Sequence, residues 1–143
     1  MKNLWEAVLQ QYGYEVESWE RLLHFLKQEN AYLKSRLGAL VSSAGDHALV
    51  SWAENFQEET LSQDRTIAFL EEELKLQKAR LQKDLYADTG ILLKEIAEKQ
   101  KKLQGDIKRA EAFFSGERCS FEQYLEEHLA TDLTAADGSR QLM

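Results

Sequence analysis

The stretch Leu22-Leu23-His24-Phe25-Leu26-Lys27-Gln28-Glu29-Asn30-Ala31-Tyr32-Leu33-Lys34-Ser35-Arg36-Leu37 decides the fold of this chain. Leu23, Asn30 and Leu37 form one column of a seven-residue repeat, and Leu26 and Leu33 form the other. Followed outward, the first column takes in Leu9 and Val16, and the second takes in Trp5, Tyr12, Trp19 and Leu40. Alternating steps of four and three stack these residues along one edge of an α-helix, so the segment needs another helix to cover it. The repeat predicts a first helix over about residues 3 to 42.

The rest of the chain agrees with a helical class. Proline, the strongest helix breaker, is absent from all 143 residues, and 43% are apolar, enough for one domain with one core. Residues 1 to 13 carry Glu6 and two glutamines at positions 10 and 11, so no unbroken apolar run suggests a signal peptide, and no segment approaches the length of a membrane span. The sequence reads as a cytoplasmic, all-α protein. Cys119 is the lone cysteine, which excludes an internal disulfide and a cysteine zinc site.

The net charge of −7 conceals a polarity. Residues 1–74 hold six Lys/Arg against thirteen Asp/Glu, residues 75–109 hold ten against five, and residues 110–143 hold two against seven. An acidic front facing a basic middle favours folding back or pairing with another copy.

After the first helix, Val41 to Asp46 reads as a turn, with Gly45 suited to a helix end and Ser43 or Asp46 to capping the next helix. A second helix is expected over about residues 47 to 86. Its apolar stripe is Leu49, Trp52, Ala53, Phe56, Ile67, Leu70, Leu74, Leu81 and Leu85, interrupted by Thr60, Gln63 and Gln77. A third stripe holds Leu93, Ile96, Leu103, Ile107, Ala110 and Phe114, with Gln100 as its polar member. The phase slips by about four residues near Thr89-Gly90, which is read as a stutter in one continuing or kinked helix, with a turn at Gly90 as the other reading. Ser115 to Cys119 is expected to break the pattern. Ser120-Phe121-Glu122-Gln123 has the form of a capping box that opens a short C-terminal helix, and residues 131–143 read as a disordered tail after a single domain over residues 1–130.

The stretch from Gln28 to Leu37 locally resembles the zipper of basic-leucine-zipper transcription factors, with Leu26, Leu33 and Leu40 every seventh residue and Asn30 at an interior seam position. A buried Asn in such a seam fixes register and partner number at a cost in stability. The resemblance covers about 15 residues. It implies pairing, not DNA binding, because residues 1–25 hold one Lys and one Arg against four Glu where that family carries its basic region.

Signals for chemistry are few. None of His24, His47 and His128 follows an acid by three residues, as carboxylate-bridged metal bundles need. Glu20 and His24 sit one turn apart and are the sole candidate for a metal or small-ligand site. Cys119 is a candidate reactive thiol if Ser120 opens a helix there, since Arg118 and the positive helix end would favour thiolate. The basic strip from Lys75 to Arg109 has Tyr86 as its only ring, so it is poorly supplied for nucleic-acid stacking, and interspersed acids weaken it for membrane surfaces.

The sequence therefore predicts an all-α long antiparallel hairpin, coiled coil or elongated bundle without enzymatic activity or cofactor. It would associate with itself as a homodimer or higher oligomer, and with another helical protein. The residues expected to carry assembly are Trp19, Leu23, Leu26, Asn30, Leu33, Leu37 and Leu40, with Ile67, Leu70 and Leu74 opposite. The alternative is a compact four-helix bundle binding a small ligand or metal near Glu20 and His24.

Overall fold

The computed structural model describes the backbone of residues 4–43, 47–83 and 90–141, and side chains over residues 4–42, 47–82 and 93–128. Three helices account for the described backbone: α1 (Leu4–Ser43), α2 (His47–Lys83) and α3 (Gly90–Gln141). No strand occurs among the described residues.

Cross-helix bonds give the directions. Asn30 reaches Thr60, Lys27 pairs with Glu71, and Lys78 pairs with Glu20, so α1 and α2 are antiparallel. Gln77 reaches Ile96 and Gln63 reaches Ala110, so α3 reverses again and runs parallel to α1. The result is an up-down-up three-helix bundle. The expected continuation of one helix through Thr89-Gly90 is thus corrected: α2 and α3 lie side by side in opposite senses, and the phase slip marks that reversal. Residues 84–89, including the expected core residue Leu85, and the cap positions Gly45 and Asp46 lie outside the described residues.

The core forms as the repeats require. Leu9, Val16, Leu23, Leu26, Leu33 and Leu37 of α1 are buried against Ala53, Phe56, Ile67, Leu70, Leu74 and Leu81 of α2 and Leu93, Ile96, Leu103, Ile107, Ala110 and Phe114 of α3. Burying a Leu-sized side chain contributes roughly 1.5–3 kcal/mol, so this seam dominates the stability of the fold.

The expected break at 115–119, and with it a separate short C-terminal helix, is also corrected, because α3 runs through these residues without interruption. The physical reason lies in the repeat itself. Ile96, Leu103, Ala110, Glu117 and Tyr124 recur every seventh residue, and Glu117 occupies a core position that an acid disguises as a break. The described backbone of α3 is helical to Gln141.

Gly116 tests this continuity. It carries no positive φ, and a Cβ added there meets nothing within 4 Å. Gly116→Ala should therefore stabilise the protein by about 1 kcal/mol, the interior-helix difference between the two residues. A loss of stability in urea titration would restore a turn at this point.

Candidate functional site

All ten residues expected to carry assembly fall in or against the core of a single chain. Leu23, Leu26, Asn30, Leu33, Leu37, Ile67, Leu70 and Leu74 are buried, while Trp19 and Leu40 are half-buried and pack against the cluster. The α1 edge is covered by α2 and α3 of the same chain.

Within that core the polar residues form layers. At one level Asn30 Nδ2 donates to the Thr60 carbonyl at 2.8 Å and to Asp64 Oδ1 at 2.7 Å, and Lys34 pairs with the other Asp64 oxygen. Toward the other end, Gln77 Nε2 donates to the Ile96 carbonyl and to Gln100 Oε1, both at 3.1 Å. Gln100 Nε2 in turn donates to the Tyr12 carbonyl and to Glu15, both at 3.2 Å. Between them Gln63 Nε2 reaches the Ala110 carbonyl at 3.2 Å. Each of these bonds joins different helices, so the layers fix which residues lie opposite each other.

Glu117 stands apart. It is 4% exposed, and neither carboxylate oxygen has a hydrogen-bond partner among the described residues. Asn30 Oδ1 on α1 is also without a partner among the described residues. Burial, then the nearby carboxylates of Glu59 and Asp64, push the Glu117 carboxyl up to about 7. Two other carboxyls have cationic partners. Lys99 holds the Glu73 carboxyl below its usual range, and Arg36, bonded at 2.5 Å, does the same for Glu122.

The candidates for chemistry are dispersed. Glu20 is engaged by Lys78 at 3.1 Å, and His24 shares with it a shallow surface cleft beside Glu17 and Arg21. Among the described residues no three His, Cys, Asp or Glu side chains gather to hold a metal. Cys119 is exposed in the middle of α3, so the helix-end environment expected to activate its thiol is absent. Among the described residues no helix is long and apolar enough to cross a membrane.

Some large apolar side chains remain exposed, among them Leu4, Tyr14, Phe25 and Tyr32 of α1. Phe69 and Phe113, 58% and 49% exposed, line an open cleft of about 670 Å³ between α2 and α3, and Leu61 and Leu76 lie along the same outer side of α2. A second open cleft, about 780 Å³, lies where α1 and the end of α2 meet around Leu9, Gly13, Tyr14 and Leu81. Both clefts are open and carry polar side chains on their walls: Arg65, Lys102, Asp106 and Arg109 in the first, and Glu6, Glu17 and Lys78 in the second. Sequence reading missed both Glu117 and the outer apolar side of α2. The signal for the second was a stripe opposite the core stripe, hidden because Arg65 and Glu72 interrupt it.

Comparison of the chain with family models, with curated proteins and with solved structures finds no match.

Proposed function

We propose that this chain is a non-enzymatic helical interaction module of the cytoplasm, self-associating and presenting a helix face to other helical proteins. We read its α1–α2 pair as an antiparallel coiled coil that serves as the rigid part of this scaffold. One observation carries the reading: after three helices have covered their shared core, Leu61, Phe69, Leu76 and Phe113 still face solvent along one side. Large apolar groups gathered on a surface mark association more often than chemistry.

Sedimentation equilibrium over roughly 5 to 500 µM tests it, a range in which modest protein interfaces populate both states. The mean mass is expected to rise from one chain toward two. A single-chain mass throughout would overturn self-association.

A further inference from the structure

On the reading that the module self-associates, we infer that two copies meet through the outer face of α2, antiparallel, with the two-fold axis passing between Ala68 and Phe69. Leu61, Arg65, Ala68, Phe69, Glu72 and Leu76 fall within one narrow sector of the helix at about 100° per residue, on the side opposite Ile67, Leu70 and Leu74. All six are exposed. They span about four turns, or roughly 22 Å.

The pattern is its own complement when reversed. Setting two such helices antiparallel about that axis brings Leu61 level with the partner's Leu76, and Arg65 level with the partner's Glu72. Each contact then occurs twice, as a two-fold interface requires. At the axis Phe69 lies beside the partner's Phe69 on the edge nearer α3, where Phe113 lines the same cleft together with Lys102, Asp106 and Arg109. Ala68 faces the partner's Ala68 on the other edge and lets the helices approach.

The charges argue for a second copy over an unrelated helix. Among the described residues neither Arg65 nor Glu72 makes an ion pair within the chain, whereas Lys27, Lys34, Lys78 and Lys99 each pair with an acid on a neighbouring helix. Arg65 and Glu72 point outward from an otherwise apolar strip, with opposite signs at mirrored positions. Charges so placed select partner and register.

Charge reversal tests the arrangement by sedimentation equilibrium on the full chain, with circular dichroism to verify folding. Arg65→Glu alone and Glu72→Arg alone each set like charges opposite one another twice, and should weaken the dimer at least about tenfold. Mixing the two variants restores both attractive pairs, so a heterodimer should form with an affinity within about threefold of the original. Phe69→Ala should weaken dimerisation at least about tenfold, since it removes the aromatic contact at the axis without adding a charge beside Lys102 and Arg109. A dimer indifferent to all three substitutions would overturn this face while leaving self-association standing. Failure of the mixture to recover would overturn the antiparallel register. A chain that stays single at every concentration would remove the proposed function together with this inference.

Discussion

Glu117→Gln should make the protein more stable by up to about 3 kcal/mol at pH 8 and should flatten part of its stability profile. The carboxyl titrates near 7 in the folded chain against an ordinary 4.5. Between these values the native state holds a proton that the unfolded chain has released. Stability therefore falls as pH rises through this window and stays at its lower level above it. The 2.5-unit gap corresponds to roughly 3 kcal/mol at about 1.4 kcal/mol per unit. For a chain of this size that is about 10 °C in melting temperature. The layer explains the sign. Neither Glu117 oxygen has a donor among the described residues, so the ionised carboxylate is buried without compensation, whereas a protonated carboxyl or the amide of Gln carries no charge to desolvate. Glu73 and Glu122 act oppositely and elsewhere. Their lowered values stabilise the fold above about 4.5 and lose that effect as pH falls further. Melting curves of both proteins from pH 4 to 9 should thus coincide at the acid end and diverge toward neutrality. Parallel curves, or a less stable Gln variant at pH 8, would show that Glu117 is not held in its protonated form.

That same residue shows where sequence stops being informative. The heptad columns of α1, the polar members Thr60, Gln63, Gln77 and Gln100, and the core leucines were legible because periodicity depends on spacing alone. Direction was not legible, since a stutter and a reversal give the same phase slip at Thr89-Gly90. Glu117 was read as a break because an acid at a core position is unfavourable, and only tertiary context reveals that the position is buried at all. Assembly was assigned to the greasiest edge. An edge of that kind is covered first by the chain's own helices, because effective concentrations within one molecule exceed those between molecules. The stripe of Leu61, Phe69 and Leu76 that stays exposed on α2 is one that charges obscure in a linear reading.

Phe121→Ala should cost about 3–5 kcal/mol, the usual range for emptying an aromatic site in a core. Phe121 is fully buried, with ring centroids 5.2 Å from Phe56 and 5.9 Å from Trp52, and the Arg36 guanidinium carbon stands 4.8 Å from its ring centre. Arg36 is fastened at the same time to Glu122, and Trp52 stacks on Tyr124 at 3.8 Å with rings only 4° from parallel. The cluster draws on α1 through Arg36, on α2 through Trp52 and Phe56, and on α3 through Phe121 and Tyr124. Removing the central ring therefore takes packing from all three helices. Were residues 120–128 a separate helix laid on a finished bundle, the same substitution would cost less than about 1 kcal/mol. Urea unfolding followed by circular dichroism and by tryptophan fluorescence distinguishes the two. Coincident transitions shifted together to lower urea are expected of one cooperative core. A small shift, or fluorescence that melts ahead of the helical signal, would mean that this end of α3 does not share in the stability of the fold.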